Sequence, residues 1–227
     1  MLASLHHCVA HPPGSPNRAA FCPGWVEVPS AVLFCLGLTL QEAMRVIAGK
    51  YRSRRLVAPA GIETRPTSDR LRETLFNVLG PAVVDAVWLD LFAGSGAIGI
   101  EALSRGAAMV YFVESFRQAA AAVRSNLGAL KIVDGFELME REVTVALRLL
   151  DSRPVACDFC FLDPPYRRED AYQQVLEFLS GSRLLKPGSR VIAEHDKHFD
   201  PGESFGRLSR RRKLRQGDAV LSFYARD

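Results

Sequence analysis

Between Asp85 and Glu194 short apolar runs alternate with longer amphipathic ones, and this alternation most restricts how the chain can fold. Val87–Leu91, Ala108–Val113, Phe136–Met139, Cys157–Leu162 and Val191–Glu194 read as strands. The stretches over Ile100–Ser104, up to about Leu127, over Val143–Leu150 and over Asp170–Leu179 carry helical spacing. Strands that each return through a helix build a parallel sheet covered on both faces. The end of the chain breaks the pattern. Phe205–Leu214 and Ala219–Tyr224 flank a turn at Gln216-Gly217-Asp218, which predicts an antiparallel pair at the sheet edge.

Ahead of this unit, Arg65-Pro66-Thr67-Ser68-Asp69 has the composition of a helix start, with a Pro-restricted turn, a hydroxyl cap and an acid in the first turn. Leu71, Leu75, Val78 and Leu79 follow at helical spacing as far as Gly80-Pro81. Val46–Tyr51 and Arg54–Val57 are predicted as two short strands of a hairpin around Arg52-Ser53. Residues 1–43 show no sustained period and are expected to be a disordered extension, with Met44 a candidate alternative start. The organisation expected is thus an extension (1–43), a basic hairpin with the first helix (44–84) and an α/β domain (85–227). The hydrophobic fraction of 48% is enough for one substantial core. Five Cys at irregular spacing argue against a disulfide framework and for a reducing compartment. Cys157 and Cys160 sit inside an apolar strand, where residues three apart face opposite sides, so a metal or redox pair is not expected. No run approaches the ~20 apolar residues of a membrane span.

In an open α/β sheet, ligands bind outside the carboxyl ends of the strands, and the chemistry-bearing residues cluster at those ends. Gly94-Ser95-Gly96-Ala97-Ile98-Gly99 lies between a strand and a helix, where glycines admit a ligand close to the backbone. Glu114 ends the second strand, placed for ribose hydroxyls. Either a dinucleotide or S-adenosylmethionine suits these two features. Asp90, four residues before the first glycine, favours the latter, because a carboxylate repels a pyrophosphate and attracts an ammonium and a sulfonium. The fourth strand runs into Asp163-Pro164-Pro165-Tyr166. Two prolines stop strand pairing and stiffen the turn, holding an acceptor and a ring where a flat, amine-bearing group can be gripped.

Arg65–Asn77, Asp90–Gly96 and Asp163–Tyr166 together resemble the bacterial 16S rRNA (guanine-N2)-methyltransferases of the RsmD type, over roughly Met44–Tyr224. The resemblance implies a class I methyltransferase fold, Rossmann-like, with a seven-stranded mixed sheet whose last strand is antiparallel. It implies S-adenosylmethionine as methyl donor, with no metal, and a guanine exocyclic amine as acceptor. By position, Asp90, Phe92, Gly94, Ser95 and Gly96 fall on the donor's aminocarboxylate side and Glu114 on its ribose. Glu142 stands where the family has a short polar residue for the adenine, and Ser115-Phe116 follow Glu114 where an acid is common. Arg65 and Thr67, with Arg72 and Glu73, match a motif bordering the donor pocket. Asp163, Pro164, Pro165 and Tyr166 match the turn that takes the flipped guanine.

Two basic stretches suit a nucleic-acid partner: Lys50, Arg52, Arg54 and Arg55 in the hairpin, and Arg211, Arg212 and Lys213 near the end. The expected partner is 16S rRNA or the small-subunit particle, met by a cytoplasmic monomer without membrane contact. Rival readings are an N6-adenine or N4-cytosine nucleic-acid methyltransferase, a nicotinamide-dependent oxidoreductase on the same sheet, and a catalytically idle RNA-binding scaffold.

Overall fold

Why Trp88 is wholly buried explains how the N-terminal helix is attached. In the computed structural model, which describes residues 44–59, 68–165 and 168–226, helix α1 (Asp69–Leu79) lies across this ring. Ser68 caps α1, its hydroxyl accepting the Leu71 N–H at 3.2 Å, and Gly80 (φ +57°) ends it. Leu71, Leu75, Phe76 and Leu79 form the buried face. Val78 packs partly buried against the same core, and Phe76, outside the predicted set, stacks on Trp88 at 5.3 Å between centroids, while Trp88 meets Phe159 at 5.2 Å. A short 3-10 turn, Gly80–Val83, leads into the sheet.

The alternation holds throughout: β1 (Val87–Leu91), α2 (Ala97–Ser104), β2 (Met109–Val113), α3 (Arg117–Ala129), β3 (Phe136–Met139), α4 (Val143–Asp151), β4 (Cys157–Leu162), α5 (Glu169–Gly181) and β5 (Leu185–Asp196). Three strands follow, β6 (Ser204–Phe205), β7 (Leu208–Gln216) and β8 (Ala219–Arg226). The sheet order is β3-β2-β1-β4-β5-β8-β7-β6. Strands β1 to β5 pair in parallel, and β8 enters antiparallel between β5 and β7. Eight strands replace the seven expected. Gly206, at φ +54°, turns the chain between Phe205 and Leu208, so the expected single strand is divided into β6 and β7.

Alternating strand residues feed two cores. One face holds Trp88, Phe159, Phe161, Ile192, Leu221 and Phe223 with α1 and residues of α2 and α3. The other holds Leu89, Leu91, Leu162, Val191, Ala193 and Tyr224 with α4 and α5. Cys157 and Cys160 share this second core rather than facing opposite sides, because an irregularity between Cys157 and Phe159 resets the alternation. Both are free thiols; burial pushes Cys157 up to about 12 and Cys160 well above its ordinary value.

The hairpin differs from its expectation. A single bridge joins Arg45 to Arg55, supported by Val46 N–H to the Arg54 carbonyl (2.9 Å) and Leu56 N–H to that of Met44 (2.8 Å). In place of a second ladder, the buried Glu101 of α2 accepts the N–H groups of Ile47 (2.7 Å) and Ala48 (3.0 Å). Gly49 (φ +80°) then lets the chain touch the end of α2. A Cβ there would lie 1.8 Å from the Ser104 carbonyl oxygen, which instead accepts the Lys50 N–H at 2.7 Å. The segment is braced on α2, and Met44, Val46 and Leu56 join the same core as α1. Residues 1–43, Arg65, Thr67 and Tyr166 lie outside the described residues.

Candidate active site

The strand order reverses between β1 and β4, since the chain runs outward through β2 and β3 and returns to β4 on the other side. Helices cannot cover the carboxyl ends there, so a crevice opens at this point. Register decides which side chains enter it. Asp90 pairs with Phe161, and Phe161 with Ile192, all on the Trp88 face. Leu162 and Ala193, paired at the next rung, point to the opposite core. Asp163 and Glu194, one residue further, therefore return to the face of Asp90.

Asp90 is 2% exposed and its Oδ2 accepts the Gly99 N–H at 2.9 Å, satisfying a donor in the first turn of α2. Burial pushes its carboxyl up to about 8, against the pull of the Gly99 bond, with the charge of Glu114 adding to the rise. The following Phe92 has φ +63°, a left-handed conformation that costs a residue with a Cβ on the order of 1 kcal/mol. This bend carries the chain out of β1 into the glycine loop. Gly94 (φ +57°) donates its N–H to Glu114 Oε2 at 2.8 Å. Ser95 gives its carbonyl to Asn126 Nδ2 (2.9 Å), and its hydroxyl lies 3.4 Å from the Met44 sulfur. Gly96 (φ +78°) precedes α2 without a side-chain cap, and a Cβ on it would stand 3.3 Å from Val123.

Glu114 also accepts the Phe116 N–H, through Oε1 at 2.8 Å. Burial raises its carboxyl; the backbone N–H groups of Phe116, Gly94 and Ser115 oppose that, and Glu142 reinforces it. Glu142 is exposed at the start of α4. Asp163 is partly open to solvent and makes no hydrogen bond among the described residues. Its carboxyl is held well above the ordinary range by desolvation first, then by the charges of Glu194 and Asp90. Pro164 is buried and Pro165 exposed, and the Pro165 carbonyl accepts the Arg168 N–H at 2.7 Å. A crevice with four carboxylates, Asp90, Glu114, Asp163 and Glu194, suits a ligand rich in positive charge and N–H donors and disfavours a pyrophosphate.

Asp90, the glycine loop, Glu114 and Asp163 thus converge on one crevice, with Glu142 near enough to Glu114 to act on its charge. The tip of the basic hairpin does not join them, although its base at Met44 and Val57 reaches the glycine loop through Ser95 and Asn126. Lys50, Arg52, Arg54 and Arg55 are exposed, and the turn at Lys50 rests against Ser104, at the opposite end of α2 from the glycine loop. On β7, Arg211, Arg212 and Lys213 are exposed, with Lys213 paired to Asp200 at 2.8 Å. Arg211 and Arg212 line a cavity of about 270 Å³ with Arg190, Val78 and Phe223.

Sequence reasoning missed several residues. Glu194 was visible only as a strand end. Asn126 binds both Val57 (Oδ1 from its N–H, 2.7 Å) and the Ser95 carbonyl, so it couples the N-terminal segment to the glycine loop. Nothing in a mid-helix Asn signals that. Arg72 was placed by motif alone. It is fully buried, with Nη2 on the Arg45 carbonyl (2.7 Å) and on Asp69, and its Nε and Nη1 have no partner among the described residues. No group of three His, Cys, Asp or Glu able to hold a metal occurs among the described residues.

Comparison with known proteins agrees with this geometry. The family model described as conserved hypothetical protein 95 matches residues 44–225. The ribosomal RNA small subunit methyltransferase D of Escherichia coli is 42% identical over 153 residues, covering 67% of this chain and 75% of that protein. A hypothetical protein of Thermus thermophilus superposes with a TM-score of 0.68 at 27% identity, covering 79% of this chain and 98% of its own. An RNA methyltransferase of Salinibacter ruber, in complex with S-adenosyl-L-homocysteine, shares the fold at a TM-score of 0.52 and 17% identity, over 70% of this chain and 91% of that one. The chain belongs to the conserved hypothetical protein 95 family, the family of the small-subunit rRNA methyltransferases D.

Proposed function

We propose that this protein transfers a methyl group from S-adenosylmethionine to the exocyclic N2 amine of a guanine in 16S rRNA. The observation that carries the reading is the placement of Asp163 on the crevice face of Asp90, beyond the last rung of β4. It brings an acceptor for an amine beside a glycine loop and a carboxylate suited to a cationic donor. The family, and the rRNA named for its E. coli member, support the substrate.

The residues present fit such a donor. Gly94 leaves the loop backbone bare ahead of α2, and Asp90 and Glu114 supply acceptor oxygens at the ammonium and ribose positions, where a bound cation favours their charged forms. When bound, S-adenosylmethionine supplies an electrophilic methyl carbon on a sulfonium. Glu142 borders that side, and Arg65 and Thr67 are assigned to it by their motif. Asp163 accepts an N–H of the guanine amine, turning its lone pair toward the methyl carbon. Holding the two in line is most of the catalysis. As the N2–C bond forms and the S–C bond breaks, N2 carries one proton too many, and the Asp163 carboxylate takes it. Pro164 and Pro165 keep the turn stiff, and Tyr166 stacks on the base after it leaves its helix.

RNA is held electrostatically by Arg211, Arg212 and Lys213, and by the hairpin cations Lys50, Arg52, Arg54 and Arg55. No helix among the described residues is long and apolar enough to cross a membrane, and the reading is of a cytoplasmic monomer acting on rRNA or the small-subunit particle. The test is incubation with labelled S-adenosylmethionine and either 30S particles or naked 16S rRNA, with the labelled atom mapped. Label on guanine N2 is expected. Label on adenine N6 or cytosine N4 would move the chain to the rival methyltransferase class. Absence of transfer together with nicotinamide binding would give it to the oxidoreductases, and RNA binding without transfer would make it a scaffold.

A further inference from the structure

Strands β4 and β5 run parallel with Leu162 opposite Ala193, so Asp163 and Glu194 emerge side by side from neighbouring strands. Paired strands lie about 4.8 Å apart, which puts the two carboxylates within reach of one small planar group. Both point to the face of Asp90, since Leu162 and Ala193 before them belong to the opposite core. Glu194 is 9% exposed and its backbone is clamped on two sides. The Tyr172 hydroxyl donates to its carbonyl at 2.5 Å, and it pairs with Leu221 of β8. The next residue, His195, faces the other way, its Nε2 2.9 Å from the Ser222 hydroxyl. The position of Glu194 is thus fixed by pairing with β8 on one edge and by the Tyr172 hydroxyl on its carbonyl, one residue beyond the last β4 rung.

Bases that carry an exocyclic amine differ in what stands beside it. On the Watson–Crick edge of guanine the neighbour of the N2 amine is N1–H, a second donor. In adenine and cytosine the neighbour of the amine is a bare ring nitrogen, an acceptor. A pocket for the last two needs an acceptor beside a donor; a pocket for guanine needs two acceptors side by side. A flipped base is read along this edge. We propose that Glu194 is a specificity-determining residue that accepts the N1–H of the target guanine while Asp163 takes the N2 amine. The inference rests on the guanine-N2 reading above and deepens it.

The experiment uses the full chain and 30S particles whose methylated guanine is replaced by 2-aminopurine. That base keeps the amine and presents N1 as an acceptor. For the unaltered protein, 2-aminopurine is expected to be methylated about 100-fold more slowly than guanine, as expected when a site built around a donor meets an analogue lacking it. In Glu194→Gln the side-chain amide can donate to N1, so the ratio between the two substrates is expected to fall by tenfold or more, with S-adenosylhomocysteine affinity unchanged by calorimetry. Equal slowing of both substrates in Glu194→Gln would reduce Glu194 to a structural role and overturn the proposal. So would a ratio below about threefold in the unaltered protein, a measurement that needs no variant to fold. Label mapped to an atom other than guanine N2 would instead defeat the function reading itself, whatever the ratio.

Discussion

On the β1–β2 side of the crevice the carboxylates already serve the backbone. Asp90 accepts from Gly99, and Glu114 from Gly94 and Phe116. On the β4–β5 side Asp163 has no such bond among the described residues and lies beside Glu194, which also raises its affinity for a proton. The difference teaches how the fold divides its labour. Acids bonded to loop N–H groups set the shape of a pocket before any ligand arrives. An acid desolvated without a hydrogen bond is costly, and a ligand that donates to it removes that cost.

This contrast predicts that the two sides can be separated by mutation. Asp163→Ala is expected to lower methyl transfer by about 10³-fold, the scale of losing a group that acts mainly in the transition state, while S-adenosylhomocysteine affinity stays within twofold by calorimetry. A comparable loss of affinity would merge the two sides and assign Asp163 to the donor.

Glu101 extends the first kind of carboxylate into the core. It is fully buried, accepts the N–H groups of Ile47 and Ala48, and pairs with Arg105 at 2.7 Å. Glu101→Ala leaves those three donors without their acceptor and is expected to destabilise the protein by about 3 kcal/mol, read as a lower midpoint in urea. An unchanged midpoint would mean that the N-terminal segment is not braced by α2.

Much of this was legible before the structure. Strand–helix alternation, the capped start at Ser68, the loop at Gly94–Gly96 and the turn at Asp163 depend on local residue types, which a sequence carries directly. What was lost depends on register and distance. Glu194 becomes a neighbour of Asp163 only through the pairing of β4 with β5. Asn126 and Glu101 bind backbone groups 69 and 54 residues away, respectively. The left-handed Phe92 had no signal, because its type disfavours the conformation it adopts. The hairpin was over-read, since β-prone residues that brace on a helix have the same pattern as residues that pair with each other.

Asp90 sharpens the comparison through pH. Its carboxyl titrates at about 8 in the folded chain against 3.8 when free in the unfolded one, so the folded state binds this proton more tightly. The contribution of Asp90 to stability is complete below about pH 4 and is lost as the pH rises through 8, with a slope of up to about 1.4 kcal/mol per unit. The melting temperature of the ligand-free protein is expected to fall between pH 6 and 8.5, and Asp90→Asn is expected to flatten that fall. A profile of equal steepness in Asp90→Asn would place the titrating group elsewhere, at Asp163 or Glu114.

The weakest expected effect concerns how RNA approaches the side of the crevice left to the ligand. Arg211 and Arg212 stand on β7, on the same side of β1 as β4 and β5, whereas the hairpin turn at Lys50 rests on the far end of α2. If the base enters over β4 and β5, its neighbouring phosphates meet β7 first. Arg211→Ala with Arg212→Ala is expected to weaken RNA binding several-fold at 0.15 M salt and to lower the slope of log affinity against log salt by about 1.5. S-adenosylhomocysteine affinity should not change. Arg52→Ala with Arg54→Ala is expected to lower the slope by less than half as much. The reverse ranking would bring the RNA in across α2, over the acids that hold the glycine loop.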